Sequence, residues 1–394
     1  MGEDEAHARA DPERLTLSSA DGSIELAFEP LVHVQARIFL APEQDQTSTF
    51  LVRRARPTVR AKLFEHFELV LEPELARGTP TLLRAHAAFS WADWLRLRAG
   101  LGKVPIGLEV LQSAGATVFA ELGLTSQMVP HYDVGVQLEG TVLDGFLSYA
   151  VGVHNGAVLG GAGQLDPNDS KDGVVRLFLL PFRPLGVVAV SELGLGLAAS
   201  LGNQAGDLPV FRTDSEQVVF RYLQAEPETR PEGVVARGRR VILAPQGYYY
   251  YGPVGLLGEY VETEQRVSLD GIEDSVLARA WQVVGSVVLG GSPSYDGVEI
   301  THAFDWRRGR WGALELAARY HQLRVDDTAF RHDLADPSEA AIGAESWTVG
   351  LHWYSAPFIG WKLDLSRTRF DWDSRVRTRP TETVLTAQVG VAAW

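Results

Sequence analysis

The stretch Ser23-Ile-Glu-Leu-Ala-Phe-Glu-Pro-Leu-Val-His-Val-Gln-Ala-Arg-Ile-Phe-Leu40 decides the fold. Its apolar side chains share one parity of the chain and its polar side chains share the other, which is the period-2 pattern of a β-strand. The two sets are Ile24, Leu26, Phe28, Val32, Val34, Ala36, Ile38 and Leu40 against Glu25, Glu29, His33, Gln35 and Arg37. Strands of globular proteins are usually about 3–10 residues long. The stretch therefore predicts one unusually long strand with an apolar face and a polar face.

The same alternation recurs along the whole chain. Sixteen segments carry it, at about 23–40, 52–62, 67–75, 82–90, 95–103, 132–141, 145–154, 172–181, 193–201, 239–251, 254–267, 277–289, 312–325, 344–354, 360–372 and 382–394. Short and long gaps alternate between them, although 76–81 is short for a loop and 290–311 is long for a turn. An even number of strands with short turns at one end and long loops at the other is typical of an outer-membrane barrel. The predicted fold class is all-β, a transmembrane antiparallel up-and-down β-barrel of about 16 strands.

A soluble sandwich or propeller is the alternative fold, because half-buried strands also alternate in such proteins. A sandwich of this length needs two or three domains, and no linker composition separates any. Tyr and Trp also cluster at the predicted strand ends, as the interfacial girdles of a membrane barrel require. The predicted organisation is a flexible leader at 1–22 and a single barrel at 23–394, with loop 104–131 folded inward.

Composition narrows the classes of function. The formal charge of −14, from 36 basic and 50 acidic residues, argues against nucleic acid as a partner. No Cys is present, which excludes disulfides and thiolate chemistry. The start of the chain has no basic region followed by an apolar one, so no signal peptide is expected, and the sequence is interpreted as a mature outer-membrane chain or a cytosolic protein.

Several blocks of sequence resemble, in order, those of the phosphate-selective porin O/P family. They are 50–56, 103–109, 132–137, 149–156, 166–172, 252–260, 312–320 and 348–354, and the resemblance covers roughly residues 23–394. It implies a 16-stranded bacterial outer-membrane barrel, usually a homotrimer, that passes small solutes by diffusion. It also implies a ladder of Arg along the lumen and basic residues on an inward-folded third loop.

Some of the family's basic positions are matched by residues of this sequence, and others are not. Arg53 and Arg54 match the paired Arg of the second strand, His33 takes the place of a ladder Arg on the first, and Arg98 matches a basic position before the third loop. That loop departs from the family, because 104–131 contains Glu109 and Glu121 but no Lys or Arg. This departure argues against strict phosphate specificity and leaves the porin assignment unchanged.

The predicted pore wall is basic. Arg54, Arg56, Arg60 and Lys62 share one face of a strand, and Arg84, Arg96 and Arg98 lie on neighbouring strands. A column of guanidinium groups attracts anions. Carboxylates such as Glu68, Glu72 and Glu74 are expected either to oppose this wall or simply to help solvate a wide lumen. Loop 104–131 is predicted to form the constriction, with packing on a neighbouring subunit as its alternative.

No enzyme, cofactor or metal site is predicted. The chain has no G-x-S-x-G or H-E-x-x-H motif, and Asp166, Asn168, Asp169 and Asp172 resemble a calcium loop only loosely. The predicted function is a passive porin for small inorganic or organic ions and other hydrophilic solutes, seated in outer-membrane lipid and leaning toward anions such as phosphate or other oxyanions. The alternative is a barrel plugged by its own loops that serves as a docking surface.

Overall fold

The computed structural model describes residues 7–11, 14–40, 46–76, 78–163, 168–226, 232–372 and 380–392. Sixteen strands pair in chain order and the last pairs with the first, so the sheet closes into an antiparallel barrel and the predicted fold is confirmed. The barrel strands are β1 Ile24–Phe39, β2 Thr49–Leu63, β3 Phe67–Glu74, β4 Thr81–Ala92, β5 Leu95–Lys103, β6 Tyr132–Val142, β7 Leu147–His154, β8 Asp172–Leu179, β9 Leu193–Gly206, β10 Val235–Tyr251, β11 Val254–Leu269, β12 Ile272–Leu289, β13 Ala313–Val325, β14 Gly343–Ala356, β15 Ile359–Asp371 and β16 Glu382–Ala392.

Short elements occupy the connections. The α-helical turns are Leu108–Leu111, Val188–Ser191 and Thr328–Arg331, and the 3-10 turns are Leu124–Met128, Arg183–Leu185 and Trp306–Arg308. Two small hairpins pair Phe211–Arg212 with Val218–Phe220 and Gly291–Ser294 with Gly297–Ile300. Within the described residues, no helix is long and apolar enough to cross a bilayer.

Side chains alternate between the barrel interior and its outer surface. On β14, Val349 and Leu351 are 53% and 50% exposed, whereas Thr348 and His352 are 1% and 0% exposed. An apolar outer face and a polar inner face are what a barrel in lipid requires. The parity predicted from the sequence is the parity observed.

The two ends of the barrel differ. Connections 64–66, 93–94, 143–146, 252–253 and 357–358, together with the longer 180–192 and 290–312, lie at one end, here called the turn end. The remaining connections, including 104–131 and 207–234, lie at the other, here called the loop end. One loop-end connection is only two residues long, because Asp270 and Gly271 both have positive φ, at 50° and 79°. Asp-Gly with two positive φ angles is the type I′ hairpin turn. The sequence prediction left 268–276 outside the strands and missed this turn.

The N-terminal segment forms structure where a flexible leader is predicted. Residues His7–Asp11 and Arg14–Ser18 form a hairpin whose second strand pairs with Glu25–Phe28 of β1. That part of β1 has no partner in β16, whose pairing stops at Leu31, so the hairpin covers an otherwise open strand edge. Leu15 and Leu17 are more than half exposed, so the outer apolar face continues onto the hairpin.

The inner wall is not polar all round. On β10 to β13 several inward side chains are apolar and fully buried, namely Ile242, Ala244, Val261, Ala278, Ala280 and Leu323. They pack against Ile106, Leu124 and Met128 of loop 104–131. This apolar half of the wall seats the loop, and the charged half on β2 to β8 lies opposite.

Candidate functional site in the barrel interior

Loop 104–131 reaches the wall far from the strands that it connects. The backbone N–H of Leu108 donates to Glu259 Oε2 on β11 at 2.6 Å, and that of Leu124 donates to His321 Nδ1 on β13 at 2.9 Å. The N–H of Ala120 donates to Asp364 Oδ2 on β15 at 2.8 Å. Inward-facing side chains of the wall thus satisfy the buried backbone of the loop, which fixes its path.

Glu121 fastens the loop to the basic wall. Arg53 donates to both carboxylate oxygens, Nε to Oε1 at 2.6 Å and Nη2 to Oε2 at 2.9 Å. Arg37 Nη2 lies 3.2 Å and Arg54 Nη2 3.7 Å from the same group. Burial alone would raise the pKa of the Glu121 carboxyl, but the charges of Arg53, Arg54 and Arg37 hold that pKa well below its usual range. Glu121 is therefore ionised and neutralises part of the wall.

A β-bulge explains how two consecutive arginines reach one carboxylate. His33 pairs with Arg54 and Val34 pairs with Val52, which leaves Arg53 as an extra residue on β2. A bulge re-aims the side chain that it contains. Arg53 therefore turns inward together with Arg54, although strict alternation would place it outside.

Glu109 is also turned to the wall. Arg319 Nη1 lies 3.3 Å from its Oε1, while Gln282 Nε2 and the N–H of Gly123 donate to Oε2 at 2.9 and 2.8 Å. Arg319 is 1% exposed, so this ion pair is shielded from water. Both carboxylates predicted for the constriction are thus engaged with wall residues.

The predicted pore-wall arginines mostly have carboxylate partners on adjacent strands. The ion pairs are Arg56 with Glu74 at 2.7 Å, Arg60 with Glu68 at 2.7 Å and Glu29 at 3.1 Å, Arg84 with Glu72 at 2.8 Å, and Arg96 with Glu139 at 2.7 Å. Their side chains remain 16–30% exposed. The carboxylates alternate with the arginines on one wall instead of opposing them across the barrel. The wall therefore carries little net charge.

Three predicted residues have other surroundings. His33 is 2% exposed, and its Nδ1 lies 3.1 Å from Arg54 Nη1. It therefore helps to position the Arg54 guanidinium and does not face open lumen. Lys62 is exposed near the turn end. Arg98 donates to the carbonyl of Lys103 at 2.8 Å and to Gln137 Oε1 at 2.9 Å, and within the described residues it has no carboxylate partner.

Residues 33–389 match the model of the family described as phosphate-selective porin O and P. The chain belongs to this porin family. No curated protein sequence matches the chain.

Solved outer-membrane structures share the fold of this porin. OmpT of Vibrio cholerae, in its trimer form, has a TM-score of 0.58 and 9% identity over 94% of this chain and 100% of its own. The outer-membrane channel DcaP of Acinetobacter baumannii has a TM-score of 0.59 and 8% identity over 94% and 97%. OmpF of Salmonella typhi, in complex with daunomycin, has a TM-score of 0.52 and 10% identity over 98% and 100%. At these identities the likeness shows the barrel fold alone.

Two cavities of the porin interior differ in charge. The loop-end vestibule, about 450 Å³, is lined by four cations and four carboxylates: Arg53, Arg54, Arg56, Arg212, Glu74, Glu121, Asp214 and Glu216. The turn-end vestibule, about 690 Å³, is lined by three arginines, one lysine and two carboxylates: Arg96, Arg98, Arg176, Lys103, Asp93 and Glu139. Burial lowers the pKa of His131, which also lines the loop-end vestibule, to about 4, so it adds no charge there at pH 7. Only the turn-end vestibule has an excess of cations.

Sequence reasoning missed two further inward elements of this porin. The hairpin at 291–300 enters from the turn end, where the Tyr295 hydroxyl donates to the carbonyl of Leu108 at 2.6 Å. The loop at 207–226 enters from the loop end, where Asp214 Oδ2 accepts from Ser366 Oγ at 2.9 Å. The length of 290–311, noted as long for a turn, was the one available signal for the first.

The described part of the loosely calcium-like segment has its acidic residue Asp172 engaged elsewhere. Asp166 lies outside the described residues. Asp172 is engaged by Arg240 at 2.6 Å and by Gln204 at 2.7 Å. Across the described ranges, no group of side chains is arranged to hold a metal ion.

Proposed function

We propose that this chain is a bacterial outer-membrane porin, a passive and non-enzymatic channel for small hydrophilic solutes with a modest preference for anions. The observation that carries the proposal is the row of partly exposed arginines on β2, β4 and β5, where Arg56, Arg60, Arg84 and Arg96 keep 16–30% of their side chains accessible. Partly exposed guanidinium groups on the inner face of a lipid-facing barrel need water in the lumen, because leaving a charge without water is costly. Water beside this wall is a path for ions.

Charge pairing supports a weak selectivity. The guanidinium groups that the family uses to attract anions are here largely neutralised by Glu68, Glu72, Glu74 and Glu121. A wall of alternating charge admits both kinds of ion, whereas an excess of one sign attracts ions of opposite charge and excludes ions of the same charge. The preference for anions would then come from the turn-end vestibule.

Loop 104–131 is proposed to act as the constriction, because it divides the interior between the two vestibules. Pro105 and Leu111 of the loop line the turn-end vestibule, and Glu121 and Leu122 line the loop-end vestibule. Outer-membrane lipid is the proposed surrounding. A homotrimer is proposed from family membership and from the trimer form of the similar OmpT structure.

A plugged docking barrel is the second candidate, and one observation favours it. Loop 104–131, the hairpin at 291–300 and the loop at 207–226 all enter the interior, and the first two touch through Tyr295 and Leu108. Single-channel recording of the purified full chain in a planar bilayer separates the two candidates. Stepwise current in 1 M KCl supports the porin, and protein that inserts without any steps supports the plugged barrel.

A further inference from the structure

The three cations of the turn-end vestibule that lack a carboxylate partner lie on one cavity wall. Within the part of the chain that the structure describes, Arg98, Lys103 and Arg176 form no ion pair. Lys103 Nζ donates only to carbonyl oxygens of the loop, including that of Leu111 at 3.2 Å. Buried or half-buried cations normally have a charged partner. These three are therefore ready to receive an anion from solution.

Arg176 is held with its terminal amino groups free. Its guanidinium carbon lies 4.7 Å from the centre of the Phe178 ring, and its Nε donates to Gln246 Oε1 at 3.1 Å. No hydrogen bond from Nη1 or Nη2 occurs within the described residues. A stacked guanidinium with two free amino groups presents the planar fork that matches a carboxylate.

The same cavity has apolar lining beside its cations. Pro105 and Leu111 of the loop, Ala92 of β4, and Tyr149 and Ala150 of β7 line it. Small-molecule sites are pockets of about 300–1,000 Å³ that combine apolar lining with placed polar groups, and this cavity of about 690 Å³ has that size and both kinds of lining. A fully hydrated inorganic oxyanion gains nothing from apolar walls, whereas the hydrocarbon body of an organic acid does.

We propose that the turn-end vestibule is a binding station for small organic carboxylates, which are held by Arg98, Lys103 and Arg176 and packed on its apolar lining. The inference rests on the proposed function in one respect only, namely that solutes reach the vestibule from water. The loop-end vestibule, whose cations and carboxylates are balanced, is not such a station. Glu139, which lies beside Arg96 and Gln137, opposes binding.

Equilibrium dialysis of radiolabelled benzoate against the detergent-solubilised full chain tests the station without requiring conductance. The double variant Arg98→Gln, Arg176→Gln should weaken benzoate binding at least tenfold, because each charged hydrogen bond lost contributes more than a neutral one. Glu139→Gln should strengthen binding, because it removes a carboxylate from the cavity. The matched control is Arg183→Gln, which removes a cation that is paired with Glu192 in the connection 180–192 outside the cavity.

Benzoate and phosphate block of chloride current in bilayers gives the second readout. Benzoate should reduce the current of the wild-type chain and of Arg183→Gln at concentrations that leave the double variant unblocked, and inorganic phosphate should be weaker than benzoate. Equal benzoate binding by the wild-type chain and the double variant overturns the inference. Phosphate that binds as tightly as benzoate also overturns it, since the site would then be one for inorganic oxyanions. A chain that binds benzoate as predicted but passes no current contradicts the porin and leaves the station standing.

Discussion

Glu121→Gln should convert a weakly selective channel into a more anion-selective one. The amide keeps the size and one acceptor oxygen of the carboxyl but removes its charge, so the loop-end vestibule passes from four carboxylates against four cations to three against four. A unit charge about 10 Å from the ion path is worth about 0.4 kcal/mol in water. That energy roughly doubles the local anion concentration and halves that of cations, which raises the chloride to potassium permeability ratio about fourfold.

The reversal potential in a tenfold KCl gradient measures this ratio. It should move toward the chloride equilibrium potential, and more so at low salt, where screening is weaker. Glu262→Gln is the matched control, because Glu262 pairs with Arg279 on the outer face and its loss changes the same charge outside the barrel. Heat-modified electrophoretic mobility shows that each variant is folded. An unchanged ratio, or a shift toward potassium, would refute the placement of Glu121 beside the ion path.

Three further predictions concern the membrane face, the anion and pH. Leu351→Arg on the outer face should lower the unfolding free energy by about 2–4 kcal/mol, measured by urea titration. Ser148→Arg, in the turn-end vestibule, should lower it little. Equal losses for the two variants would contradict the orientation of the strands. Millimolar phosphate should barely reduce chloride current, since Glu121 already occupies Arg53 and Arg54; block at micromolar phosphate would contradict this. Because the pKa of Glu121 is lowered in the folded state, its stabilisation is complete above the unfolded pKa of about 4.3 and is lost as pH falls toward the folded value. The difference in unfolding free energy between the wild-type chain and Glu121→Gln should be constant above about pH 5 and shrink below about pH 4, and a difference that grows on acidification would be inconsistent with this ion pair.

The alternation of the sequence was sufficient to predict the barrel, since each strand must present one face to lipid and one to the interior. The parity of β13, for example, placed Arg319 and His321 inside correctly. It could not show that both contact loop 104–131, because such contacts depend on the three-dimensional path of a segment without periodicity. The Asp270-Gly271 turn was readable from its residues, and the prediction overlooked it.

Arg53 shows where a strict period fails. A bulge adds one residue to β2, so two neighbouring side chains face inward, and only the pairing register reveals it. The sequence also could not show which carboxylates pair with the arginines of the basic wall. Counting charges identified Arg56, Arg60 and Arg84, but their neutralisation by Glu74, Glu68 and Glu72 follows from which strands are adjacent.

Cysteine accessibility tests most directly whether ions follow the charged half of the wall. The chain contains no Cys, so single substitutions provide a clean background. Thr81→Cys in the loop-end vestibule and Thr141→Cys in the turn-end vestibule should react with a water-soluble anionic thiosulfonate, and each reaction should lower the single-channel current. Thr263→Cys is the control, because Thr263 faces inward but lies under the loop, with its hydroxyl donating to Met128 O at 3.2 Å. The account predicts that the reagent lowers the current of Thr81→Cys and Thr141→Cys and leaves that of Thr263→Cys unchanged. A current that responds at Thr263→Cys, and at neither of the other two positions, would contradict the account and place the ion path on the opposite wall.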